Sequence, residues 1–202
     1  MSDRMQAMSK MDLGANIDIR PQVYLAGFDV FLKDGLARGE YLKLVCDQNG
    51  LKGAYPFDNE IEPGLSKKDA AARINEMNKE MILNSDALLV NLNLFRGAEP
   101  DSGTVFEFAM AYALGKPVWV YFDDGEATSL REIIPHDEQG FDEKGFMVED
   151  FEHPRNLMLA CNWTGKSRTA EEAARDLAQY LKDEEKRQVA NLLEIRALRG
   201  GL

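Results

Sequence analysis

The amino-acid sequence predicts an α/β protein: a doubly wound parallel sheet in a single domain, followed by a C-terminal helical extension. Three observations carry that expectation. Short apolar runs of strand length stop at glycine or aspartate, helical patterns lie between them, and the connections are short. The chain has 202 residues, 45% of them hydrophobic, enough to bury one core of domain size.

Residues 1 to about 20 mix Met, Asp, Lys and Ser without a sustained period and read as a flexible lead-in. They lack the continuous apolar core of a signal peptide. Gln22-Val23-Tyr24-Leu25-Ala26-Gly27 then reads as the first buried strand, its C-terminal end opening into a loop at a glycine. Leu36 to Asn49 suits a helix ending at Gly50. A brief extended piece ends at Ala54-Tyr55-Pro56. After the loop Phe57-Asp58-Asn59-Glu60, a Ser-x-x-Asp start at Ser66 opens a helix whose Ile74, Met77, Met81 and Ile82 fall at helical spacing.

Ala87-Leu88-Leu89-Val90-Asn91-Leu92 is the second clear strand, and a polar loop from Asn93 to Gly103 leads to a helix from Thr104 to Leu114 closed by Gly115. Val118-Trp119-Val120-Tyr121-Phe122 is the third, of β-branched and aromatic residues, ended by Asp123-Asp124-Gly125. Residues 123 to 155 show no steady period and read as a long surface excursion. Asn156 to Ala160 reads as a short helix. A Thr-x-x-Glu box at Thr169 starts a terminal helix with Ala174, Leu177, Ala178 and Leu181 on one face, continued by an amphipathic stretch from Lys182 to Arg199. The expected division is a lead-in over 1–20, a catalytic domain over 21–168 and a helical extension over 169–202, with no internal repeat.

A formal charge of -11 and the lack of any basic run argue against a nucleic-acid polymer as partner. No apolar run approaches the roughly 20 residues of a membrane span. Two widely separated cysteines, Cys46 and Cys161, fit a reducing cytoplasm, and neither cysteine nor histidine spacing suggests a metal site. No cofactor motif is present.

The most informative stretch runs from Asp101 to Leu114, because its helical part is apolar on nearly every side except at Glu107. A helix apolar all round is expected to be buried. A buried carboxylate must be hydrogen-bonded, neutralised or used. Near a helix start at the C-terminal edge of a parallel sheet, Glu107 would face the crevice where such folds bind ligands, and the helix dipole would help keep it ionised. Asp101, six residues earlier, supplies a second carboxyl group, so the pair could divide nucleophile and acid roles. A structural reading is equally open from the helix alone: Glu107 bonded to a tyrosine or an amide, and Asp101 or Ser102 as an N-cap.

The sequence also resembles the nucleoside 2-deoxyribosyltransferase family. The matching pieces are Val23-Tyr24-Leu25-Ala26-Gly27 with Phe31, Phe57-Asp58-Asn59-Glu60, Asn84-Ser85-Asp86-Ala87, Phe95-Arg96-Gly97 through Asp101-Ser102-Gly103-Thr104 to Glu107, Lys116-Pro117, and Asn156-Leu157-Met158-Leu159. The resemblance implies a flavodoxin-like (Rossmann-like) fold and a double displacement at C1′ of a 2′-deoxynucleoside, exchanging one free nucleobase for another with retention. It makes Glu107 the nucleophile, Asp101 the acid serving the base and Tyr24 the residue that orients Glu107. Gly27, Phe28 and Phe31 would wall the base, Asp58, Asn59 and Glu60 would face base and sugar, and Ser102 and Gly103 at the helix start would also bind substrate. Asn156 would reach a neighbouring subunit's site and bind the 5′-hydroxyl, which implies a homo-oligomer.

Two departures bear on chemistry. Asn78 stands where many shorter members carry an acid, so it can hydrogen-bond but not shuttle a proton. Glu60 stands where those members have Gln, so base preference is expected to differ. The rival readings are a nucleoside or nucleotide N-glycosidase on the same fold, with water resolving the intermediate, and a non-catalytic nucleotide-sensing module.

Overall fold

A computed structural model describes residues 18–125 and 127–199 of the chain. Five strands, β1 (Gln22–Ala26), β2 (Lys52–Ala54), β3 (Ala87–Asn91), β4 (Val118–Tyr121) and β5 (Gly165–Ser167), form one sheet. All its pairings are parallel, in the order β2-β1-β3-β4-β5. This is the predicted doubly wound sheet of the flavodoxin-like kind. The helices are α1 (Gly35–Gln48), α2 (Lys67–Asn84), α3 (Ser102–Ala113), α4 (Leu130–Ile133), α5 (Leu157–Ala160) and α6 (Ala170–Arg199), with 3-10 turns at Phe28–Phe31 and Pro56–Asp58.

The period of two along each strand splits the core into two layers. Val23, Leu25, Ala87 and Leu89 pack with Leu42 and Val45 of α1 and with Ala173, Ala174 and Leu177 of α6. Tyr24, Ala26, Leu88 and Val90 turn the other way, toward Ile82 of α2, Phe108 and Ala111 of α3 and Leu159 of α5. The strands are apolar on both faces because both faces are covered. The order 2-1-3 makes the C-terminal ends of β1 and β3 the switch point, where neighbouring crossovers go to opposite sides and leave a crevice.

Local signals explain the helix ends. Ser66 caps α2 by accepting from the Asp69 amide, the Ser-x-x-Asp start expected there. Gly115 takes φ 68°, the left-handed conformation that stops α3 and that glycine enters without a Cβ penalty. Among the described residues no helix is long and apolar enough to cross a membrane.

The structure corrects or extends four expectations. Helix α3 is not buried all round: Phe106 is 56% and Tyr112 53% exposed, so its inner face packs on the sheet and its outer face is offered outward. Strand β5 was unforeseen, being three residues of Gly, Lys and Ser whose place is set by pairing with β4. The terminal helix is continuous over 30 residues, and its first half belongs to the core. The excursion over 123 to 155 contains a short repeat. Asp137-Glu138-Gln139-Gly140-Phe141 and Asp142-Glu143-Lys144-Gly145-Phe146 fold into the same turn. In each, the Asp carboxylate accepts the amides two and four residues on, and the Asp amide donates to the Phe carbonyl. The expected lead-in over 1–20 lies mostly outside the described residues.

Candidate active site

The parity of β1 aims Tyr24 at the layer that contains α3. Its phenol, fully buried, donates to Glu107 Oε1 at 2.5 Å. Burial raises the Glu107 carboxyl to about 7; the Tyr24 hydrogen bond works against that shift and the nearby Asp101 carboxylate adds to it. Burial thus works against the charge that the helix dipole was expected to favour. Glu107 lies past the first turn of α3, where the dipole has faded, and desolvation wins. Burial, followed by the charge of Glu107, keeps the Tyr24 phenol well above the usual range, so it stays a donor.

A cavity of about 350 Å³ opens over Glu107. That is the size of a small-ligand site. Its walls come from four segments. The β1 loop gives Gly27, Val30 and Phe31; the loop after β2 gives Pro56, Phe57, Asn59 and Ile61; α2 gives Ile74 and Asn78; α3 gives Asp101, Gly103, Thr104 and Glu107. The lining is largely apolar, with the polar ends of Asn59, Asn78, Asp101 and Glu107 set into it. Such a surface suits a flat heteroaromatic ring with a few hydrogen-bonding edges.

Asp101 is the N-cap of α3: its Oδ2 accepts from the Thr104 amide at 2.9 Å and the Thr104 hydroxyl at 3.0 Å. The cap fixes where the carboxyl stands at the rim, and its other oxygen takes no part in those two bonds. Asn59 Nδ2 lies 2.9 Å from the Met81 sulfur and 3.5 Å from Asn78 Oδ1, which ties the β2 loop to α2. Gly27 permits a close approach, since a Cβ there would stand 2.5 Å from Asp29 Oδ2 and 2.8 Å from Asn91 Cβ. Phe31 stacks on Phe95 with centroids 5.5 Å apart, and the Arg96 guanidinium lies over both rings.

Of the residues singled out in the sequence, Gly27, Phe31, Asn59, Asn78, Asp101, Gly103 and Glu107 meet at this cavity, with Tyr24 behind Glu107. Others stand away from it. Phe28 packs on the far side of Phe95. The Asp58 carboxylate accepts from the Tyr55 amide and pairs with Lys43. Glu60 and Ser102 are exposed outside the lining. Asn156 caps α5 and donates to Glu149, so it contributes nothing to its own chain's cavity. It follows directly on Arg155, a fully buried guanidinium that forks onto the Asp124 carboxylate and donates to the Leu92 carbonyl. Sequence reasoning passed over Pro56, Phe57 and Ile61, apolar residues in a polar loop. Pro56 and Phe57 directly precede the Asp-Asn pair and Ile61 stands between it and a Pro-Gly turn, and that placement was the available signal.

The model of the nucleoside 2-deoxyribosyltransferase family matches residues 23–158, which include every wall of the cavity. The chain belongs to this family. Among solved structures, a 2-deoxyribosyltransferase from Leishmania mexicana superimposes with a TM-score of 0.66 at 29% identity, over 79% of this chain and 97% of the other. A 2-deoxyribosyltransferase from Bacillus psychrosaccharolyticus shares the fold, with a TM-score of 0.50 at 18% identity, over 76% and 90% of the two chains. An uncharacterized protein of Schizosaccharomyces pombe is 32% identical over 108 residues, 52% of this chain. The match spans about half the length of that curated relative, 51%. As a deoxyribosyltransferase-family chain, it has the fold of glycosyl-transferring enzymes that act on nucleosides and nucleobases.

Proposed function

We propose that this chain is a nucleoside 2-deoxyribosyltransferase that exchanges the base of a 2′-deoxynucleoside through a covalent deoxyribosyl-Glu107 intermediate. One observation carries the reading: of the two carboxyls that face a largely apolar cavity, Glu107 is gripped from behind by a buried phenol and Asp101 stands at the rim. With the carboxyl raised to about 7, a substantial share is ionised at neutral pH, and little water surrounds it to blunt its attack.

In the first step a Glu107 oxygen bonds to C1′ as the C1′–N bond breaks. The bonding pair leaves on the base nitrogen, which takes a proton from Asp101, the member of the carboxyl pair that carries their one proton when Glu107 is ionised. In the second, a nitrogen of the incoming base attacks C1′, Glu107 departs as carboxylate, and the proton released by that nitrogen returns to Asp101. Two inversions give net retention. Tyr24 stabilises Glu107 while it is charged and holds it in line. Phe31 and Phe57 supply apolar surface for the base, and Asn59 and Asn78 offer amides that can both donate and accept.

The site is completed by a second copy of the chain in this proposal. Asn156 lies outside its own cavity, and the outer face of α3 exposes Phe106 directly before the nucleophile. Sedimentation showing only monomer at assay concentration would exclude that part.

The test mixes purified protein with 2′-deoxyinosine and adenine. Formation of 2′-deoxyadenosine is the expected result. Hypoxanthine release without an acceptor would instead make the chain a hydrolase, and no turnover would make it a binding module. Near-wild-type exchange by Glu107→Ala would remove the mechanism.

A further inference from the structure

Behind the Gly27 side of the cavity lies a buried charge that the proposed chemistry does not use. Asp29, on the 3-10 turn Phe28–Phe31, is 3% exposed. A buried carboxylate is costly unless fully paired, and replacing such a pair by apolar residues is often neutral for stability. Stability alone therefore gives weak grounds for it.

Its side-chain partners come from two other parts of the fold. Oδ1 accepts from Arg38 Nε of α1 at 2.9 Å, and Oδ2 accepts from Asn91 Nδ2 at the end of β3 at 2.8 Å. Asn91 Oδ1 in turn accepts from the Asn93 amide at 3.0 Å and from Asn93 Nδ2 at 2.7 Å. Asn93 Oδ1 accepts from the Asp123 amide at 3.1 Å. A polar chain thus crosses the C-terminal ends of β1, β3 and β4, and Tyr55 and Tyr121 are buried beside its Asp29–Arg38 end. It passes directly behind the wall, as the 2.5 Å from a built Gly27 Cβ to Asp29 Oδ2 shows.

We infer that Asp29 is a positioning residue. Held by Arg38 and Asn91, it sets where Gly27 and Phe31 stand across the cavity from Glu107, and so how tightly the base is held. The inference rests on the proposed base-exchange reading for its kinetic consequence, though not for its mechanical one. Asp29 touches neither Glu107 nor Tyr24, so its loss should weaken binding and spare the chemical step.

Asp29→Asn keeps the shape but turns an amide nitrogen toward Asn91 Nδ2, donor against donor. Adding Asn91→Asp places acceptor against donor again. In Asp29→Asn, deuterium uptake over residues 27–32 should rise while β3 stays protected. KM for the deoxynucleoside should rise about tenfold or more, with kcat within about threefold of wild type. The double variant should recover most of both losses. Arg38→Gln, at the more exposed end, should give a smaller rise in KM and serves if Asp29→Asn does not fold.

Unchanged uptake over 27–32, a fall in kcat alone, or no recovery in the double variant would each overturn the inference. If the wild-type chain exchanges no base, the base-exchange reading fails instead. Uptake and its recovery then still decide whether Asp29 holds the wall.

Discussion

Replacing Tyr24 by Phe removes the one hydrogen bond among the described residues that favours the charged form of Glu107 while leaving the aromatic packing of β1 in place. A hydrogen bond to a charged group contributes about 1.5–3 kcal/mol. At about 1.4 kcal/mol per pKa unit, its loss moves the Glu107 carboxyl up by roughly one to two units. The wild-type carboxyl stands at about 7, so about half is ionised at pH 7. In Tyr24→Phe that share falls to roughly 1–10%, and the rate at pH 7 falls about 5- to 50-fold through ionisation alone. The assay is kcat/KM for exchange between 2′-deoxyinosine and adenine from about pH 5 to pH 9.5, because kcat/KM reports the free enzyme's ionisations. Activity should rise through about pH 7 in the wild type and one to two units higher in the variant, with most of the gap closing at the alkaline end. A uniform loss at every pH, with the limb unmoved, would refute the claim that Tyr24 sets the charge of Glu107.

Four other substitutions, at three positions, probe the same architecture. Glu107→Gln should abolish exchange yet stabilise the fold at alkaline pH. The folded carboxyl keeps its proton to about 7 while the unfolded one releases it near 4.5, so wild-type stability falls as pH rises between those values. Urea unfolding should show the variant about 2–3 kcal/mol more stable at pH 8 and equal to wild type near pH 4; equality at pH 8 would contradict the burial of a charge. Asp101→Asn should lose activity by about 10²-fold or more while melting near wild type, because Asn caps α3 as well as Asp does. Asp101→Ala should in addition cost about 1 kcal/mol. Asp124→Ala strands the buried Arg155 guanidinium, and chemical denaturation should register a loss of about 3–5 kcal/mol.

What could be read in the sequence, and what could not, follows from how local each cause is. Strands β1, β3 and β4 were legible because a strand covered on both faces is a continuous apolar run. Strand β5 was not, because Gly165 is there to accommodate the Trp119 ring and its neighbours are polar, a fact about β4 rather than about its own segment. Glu107 stood out as a polar residue where the pattern was apolar. Asp29 did not, since its burial depends on Arg38 nine residues on and Asn91 sixty-two residues on, and no periodicity relates the three. Periodicity also could not tell which apolar face of α3 its own core would cover. The repeated turn escaped notice because a five-residue unit in an acidic loop resembles ordinary turn composition.

The contact between Tyr24 and Glu107 joins residues 83 positions apart, one in the middle of a central strand and the other on a helix packed across it. Neither half of the couple is special in isolation: a free tyrosine and a free glutamate have ordinary acidities. The proposed nucleophile therefore comes into being only when β1 and α3 have docked and water has left the space between them. Partly folded chains would hold every catalytic residue and still be inert, so they could not leave a half-made deoxyribosyl adduct on themselves. Under the proposed mechanism turnover is accordingly a measure of completed folding, and recovery of exchange on refolding should track the last consolidation of the sheet rather than the first formation of its helices.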